Sequence, residues 1–250
     1  MDPAIIITLL AAALILVVAL LYSSDGHGGA SGYLATMALF GMAPGIMKPT
    51  ALALNVIVAL VSTIRFYRSG LFSWRTFWPF AVGSIPAAFL GASLGLSDFL
   101  YRLVVGLVLF YGAIRLFFSA GPAHEKKPAV VPIWIALLLG AAIGFLSGLA
   151  GLGGGIFLGP LLLLMGWARA GEMRGVVAAF VLVNSIAGLV NSGPMAPFLL
   201  TDMVYWAPAV LIGSWIGTEL ETRAFPVIEI KRAVSIVFIA GGLRLVSGIF

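Results

Sequence analysis

Long apolar runs alternate along this chain with short stretches of glycine, proline and charge. Six runs, at about 3–22, 76–96, 99–118, 131–149, 204–220 and 231–249, approach the ~20 residues that span a ~30 Å hydrocarbon layer as helix. Between them lie shorter runs in pairs, 33–40 with 49–64 and 156–165 with 175–190. A ten-residue helix is only ~15 Å long and does not cross alone. Each pair is therefore expected to form a helical hairpin or broken element dipping into the bilayer. The first run has no Lys or Arg ahead of it and no small-residue cleavage site, so it reads as a retained span.

The pattern occurs twice. A stretch with charge and proline, 121–130, divides the chain into repeats 1–120 and 131–250. Each half runs through a long apolar segment, a Gly-rich break, the short pair, a polar loop and two further spans. Gly26, Gly28, Gly29 and Gly41 match Gly151, Gly153, Gly154 and Gly166. Asn55 matches Asn184, Pro79 matches Pro208, Gly112 matches Gly241 and Arg115 matches Arg244. The expected fold is an all-α integral membrane protein of two inverted-topology repeats, each with three full spans plus the short pair.

Composition agrees with lipid as the solvent: 62% of residues are hydrophobic and 9% charged, where soluble domains carry about a quarter charged. The net charge of +5 sits in loops between apolar runs, so it sets topology and does not point to nucleic acid. Arg65, Arg68 and Arg75 fill the first half's polar loop, and the matching loop 191–203 has no Lys or Arg. The positive-inside rule then places the halves in opposite orientations, with both termini outside. With no Cys, disulfides, thiolate metal sites and Cys nucleophiles are excluded. His27 and His124 are isolated and no carboxylate pair falls within a run, so no catalytic centre, metal site or cofactor is expected.

The candidate chemistry lies in the breaks. DGHGGASG (25–32) and GLAGLGGG (148–155) each precede a short helix. Irregular backbone at membrane depth is tolerated where it lines a cavity, and a helix start with bare N–H groups suits a small anion. Gly29, Ser31, Gly153, Gly154 and Gly155 are the candidates there. Asn55 lies ten residues before Arg65, and Asn184 ten residues after Arg174, so both amides fall ~15 Å deep, where a polar side chain needs a partner. Ser185 is adjacent. Lys48, expected just before a helix start at Pro49 and Thr50, either snorkels to the interface or draws anions toward the mouth, and Thr50 completes the set.

At these motifs the sequence resembles the TauE/SafE, or sulfite exporter, family of membrane permeases. The residues that carry the likeness are GLAGLGGGIFLGPLLLLMG (148–166), VNSIAGL (183–189), GASGYLATMALFG (29–41), KPTALALN (48–55) and WPFAVGSIPAAFLGASLG (78–95). His27 and Ala30 depart from the pattern, which there has an apolar residue and a third Gly. The resemblance implies transport of a small sulfur-containing anion, such as sulfite, sulfoacetate or a related organosulfonate, across a bacterial cytoplasmic membrane. The competing readings are a membrane-embedded enzyme, which lacks a nucleophile–base pair or metal cluster, and a structural subunit, which leaves the duplicated breaks without a use. A homodimer is expected, because a small permease needs a surface to brace moving helices.

Overall fold

The computed structural model describes residues 3–118, 128–191, 197–220 and 228–248, and every regular element among them is a helix. In order these are α1 (Pro3–Ser24), α2 (Ala30–Leu39), α3 (Pro44–Arg68), α4 (Trp74–Ser93), α5 (Asp98–Phe117), α6 (Ile133–Ala150), α7 (Gly155–Leu164), α8 (Ala170–Val190), α9 (Pro197–Leu220) and α10 (Ile228–Ser247). Five of them, α1, α3, α5, α6 and α8, are long and apolar enough to cross a membrane. Large apolar side chains such as Leu107, Leu138, Leu211 and Ile236 lie exposed on outward faces, as expected where lipid is the solvent. The proposed linker falls mostly outside the described residues, as do His124, Lys126, Lys127 and Arg223.

The short helices α2 and α7 each have 10 residues; α7 matches its sequence run, and α2 begins three residues before its own. Their partners do not stay short. α3 has 25 residues and α8 has 21, so each pair is one half-length helix followed by one full-length helix. The reason lies at Pro49, which the sequence marks as a helix start. Pro44 takes the first-turn position instead, and Pro49 sits inside α3. A proline there removes one ladder bond. The Thr50 hydroxyl donates to Ile46 O at 2.7 Å beside the gap, and the helix continues.

The helices meet at two ends. At one, the Arg65 guanidinium donates to Trp215 O at 2.8 Å and Thr218 Oγ1 at 2.7 Å, and pairs with Glu219 at 2.9 Å. The turn after α3 lies against the start of α8, where Gly175 meets Leu71 O, and Gly26 meets Arg174 O. Ala129 N donates to Gly166 O at 2.8 Å, tying the end of α7 there too. At the other end Arg244 reaches Leu39 O, and Lys48 lies against Gly151. So α1, α3, α7 and α9 run toward the Arg65 end, and α2, α4, α8 and α10 run toward the Lys48 end.

Packing interleaves the two sides of the linker. α4 packs most closely on α6, α1 on α9, α5 on α10 and α3 on α8. One buried cluster joins Ile15, Tyr33 and Val105 to Trp206 and Phe238. The other joins Phe80 and Ala81 to Leu158, Val177 and Phe180. Glycine permits the closest approaches: a Cβ at Gly83, Gly91, Gly140, Gly144 or Gly148 would collide with backbone atoms across the α4–α6 seam, the small-residue packing that membrane helices use.

Candidate functional site

Both breaks turn in the middle of the bundle. Gly28 and Gly153 take φ of +68° and +70°, a left-handed conformation that costs an L side chain roughly 1–2 kcal/mol. Space forbids a side chain as well: a Cβ at either position would collide with the Asn55 amide. The two breaks therefore converge on one side chain, contributed by the middle of α3.

Asn55 is fully buried and spans three elements. Its Oδ1 accepts from Gly29 N at 2.8 Å and Ala30 N at 3.2 Å, capping the start of α2. Its Nδ2 donates to Ser185 Oγ at 2.9 Å, on α8. This corrects one expectation: the N–H groups of Gly29 and Ala30 do not face open space but bond to Asn55. The start of α2 is satisfied within the protein.

Asn184, also fully buried, does something different from its counterpart. Its Nδ2 donates to Phe180 O at 2.8 Å and Ser84 Oγ at 3.1 Å. Its Oδ1 has no partner. Asn184 thus keeps a free acceptor. α7 has no side-chain cap at Gly154, and the buried Ser147 hydroxyl, whose Cβ lies 3.5 Å from a Cβ built on Gly154, is also unpartnered. One break is closed by its amide; the other keeps polar groups unspent.

The remaining candidates divide by depth. Ser31 is buried on α2. Gly155 packs against His27 O and Val181. Thr50 is buried, with its hydroxyl spent on Ile46 O. Lys48 lies away from the amides, at the far end of α3, and donates to Ala92 O at 3.1 Å. Ser84 and Ser147 join the central set without having been singled out in the sequence. A serine inside an apolar helix usually bonds its own preceding turn, as Ser84 does to Ala81 O at 3.3 Å, so nothing local marks it.

A cleft of about 60 Å³ opens beside the first break, lined by Tyr22, Asp25, His27 and Arg115 among others. The His27 ring lies against Gly159 of α7, and its Nδ1 is 2.8 Å from Asp25 O. α5 meets α7 here through Tyr111 and Phe157, stacked at 5.8 Å. At the matching place α10 packs directly on α2, with Gly241 against Ala35. Among the described residues no three His, Cys, Asp or Glu side chains group as metal ligands.

A helical bundle with full-length apolar helices and two half-length helices starting at glycine breaks in its interior is a multi-pass membrane protein. The chain belongs to the sulfite exporter TauE/SafE family, whose match covers residues 10–245. It is 38% identical to the probable membrane transporter protein y4hK of Sinorhizobium fredii, over 92% of this chain and 94% of that one. It is 24% identical to the probable membrane transporter protein YjnA of Bacillus subtilis, over 92% and 96%. It is 28% identical to a probable membrane transporter protein of Xylella fastidiosa, over 78% of each. The family is named for sulfite export, and each of these relatives is named a probable membrane transporter protein. No solved structure matches the chain.

Proposed function

We propose that the protein carries a small sulfur-containing anion, sulfite or an organosulfonate such as sulfoacetate, across the bacterial cytoplasmic membrane. The substrate is held near the midplane between two inverted repeats, 1–120 and 131–250. The observation that carries this reading is the convergence of both glycine breaks on Asn55, a buried amide halfway along a membrane-length helix. Opposite chain directions of the matched helices, α3 against α8 and α4 against α9, support the inversion. Inverted-repeat transporters bind substrate where discontinuous helices meet at this depth.

The uncapped start of α7 at Gly153, Gly154 and Gly155 is the anion-facing element in this reading, because free N–H groups and the helix dipole suit sulfonate oxygens. Asn184 and Ser185 flank it. Asn184 then contributes an acceptor, which favours a substrate that also carries an O–H or N–H. Asn55, Gly29 and Ser31 hold the opposite wall, with Thr50 one turn above and Lys48 at the mouth. The family name supports a sulfur oxyanion. The Arg65 end is cytoplasmic by the positive-inside rule, and exposed Trp74, Trp134 and Trp215 lie on helix ends there, as interfacial aromatics do. The working unit is a homodimer.

Flux into proteoliposomes tests the reading directly, with sulfite, sulfoacetate, taurine, sulfate and chloride as solutes. Saturable flux of sulfite or a sulfonate, with competition between them, is expected. Transport of cations or neutral solutes without sulfonate competition would sink it.

A further inference from the structure

At the Lys48 end a cavity of about 220 Å³ opens between the start of α3, the end of α4 and the start of α5. At ~30 Å³ per water it has room for several waters, or for one small anion with part of its shell. Gly45, Lys48, Ser93, Asp98 and Tyr101 lie in its wall. Three observations point to a ligand. Tyr101 is only 4% exposed, yet its hydroxyl has no hydrogen-bond partner; buried hydroxyls are ordinarily paired. The Lys48 ammonium, half-buried, is held at the wall by the Ala92 carbonyl at 3.1 Å and keeps further donor capacity. The first turn of α3, at Pro44 and Gly45, borders the cavity without a side-chain cap, and its dipole favours negative charge. Against these stands one carboxylate, Asp98, exposed at the rim.

The cavity also touches the interior machinery. The Lys48 stem packs on Gly151, with Cγ 3.0 Å from where a Cβ would sit. Gly151 is the left-handed cap that ends α6 and begins the second break. From Lys48 to Asn55 is about two turns of α3, ~10 Å.

We propose that this cavity is an anion-loading site, in which the Tyr101 hydroxyl and the Lys48 ammonium hold one sulfonate-type anion before it passes to the second break. The proposal rests on the anion-transport reading, and its test does not depend on flux. The chain has no Cys, so Ser93→Cys places a single thiol in the cavity wall. Its reaction rate is measured with a negatively and a positively charged methanethiosulfonate reagent of similar size, with methanesulfonate as the protecting anion. The anionic reagent is expected to react faster relative to a free thiol, and methanesulfonate to slow both in a saturable way. Tyr101→Phe, which removes one oxygen, should weaken protection about tenfold, the order of a hydrogen bond to a charged group. Lys48→Gln should abolish the preference for the anionic reagent. Absence of protection in the parent thiol variant, or protection unchanged in both substitutions, would overturn the proposal, as would equal protection by neutral dimethyl sulfone. Protection without liposome flux leaves the cavity standing and removes the transport reading. Flux without protection does the reverse.

Discussion

Asn55 shows how one side chain ties three elements together. Its oxygen satisfies two N–H groups at the start of α2 and its nitrogen reaches Ser185 on α8. Asn55→Ala strands two buried donors, each costing about 1–3 kcal/mol, so thermal unfolding in detergent should show a clear loss of stability. Asn55→Asp keeps an acceptor for Gly29 and Ala30 and adds a negative charge. It should assemble better than Asn55→Ala, yet carry anions at least about tenfold more slowly, since one like charge at short range costs more than 1.4 kcal/mol in a desolvated site. Wild-type anion flux in Asn55→Asp would mean that the substrate passes elsewhere. The placement of both Asn residues inside long apolar helices was legible in the sequence, by counting from a boundary arginine. Their partners were not. Sequence signals for helix caps are read at the residues adjoining a helix, and Asn55 caps α2 from another helix, 26 residues beyond Gly29. For the same reason the unpaired oxygen of Asn184 could not be told from an unpaired nitrogen.

At the scale of elements, the duplicated breaks were the clearest signal in the chain. The matched glycines Gly26 and Gly151, Gly28 and Gly153, and Gly41 and Gly166 all take positive φ, the first and last pairs where a helix ends and Gly28 and Gly153 within the breaks, in a conformation that other residues resist. The last match parts company: Gly29 has φ of −118° and Gly154 of +83°. Identical residues thus start α2 and α7 in different conformations, one capped by Asn55 and one without a side-chain cap. Proline punctuation misled where it is usually helpful, since two prolines five positions apart fit either start of α3, and only packing decides between Pro44 and Pro49. Two alanine substitutions separate conformation from contact. Gly166, with φ of +64°, has open space around its absent Cβ, so Gly166→Ala should cost only about 1–2 kcal/mol and leave flux near wild type. Gly153→Ala has nearly the same φ but drives a methyl group into Asn55 and Ser185. It should lower stability further and abolish flux. Equal behaviour of the two variants in thermal unfolding and flux would show that the breaks matter only as turns.

For the whole molecule, the two sides of the linker do not fold as separate bodies: each buried cluster draws on both. The proposed membrane sidedness rests on charge at the ends. In intact cells, a cysteine replacing Ser69, beside Arg68, should resist an impermeant maleimide, and one replacing Ser93 should react; labelling of both from one side contradicts the topology. Coupling is the last property that the arrangement bears on. Ion-driven transporters usually place a carboxylate where the substrate binds. Among the described residues, Asp25 is the one carboxylate within the breaks, at the first position of the first, and it lines a cleft with Arg115 on the Arg65 side. The central groups, Asn55, Asn184, Ser84, Ser147 and Ser185, are neutral. They can compensate an anion only with partial charges, so each cycle should move the substrate's full negative charge. At about 2.3 kcal/mol per charge per 100 mV, an inside-negative potential then favours exit and opposes entry. Proteoliposomes loaded with sulfite or sulfoacetate should therefore release it in the absence of sodium and of a pH gradient. A valinomycin-imposed potassium diffusion potential, negative inside, should accelerate release, and reversing its sign should slow it. Strict dependence on sodium or on a proton gradient, or indifference to the imposed potential, would show that a second ion travels with the substrate and that the neutral centre is not the whole of the site.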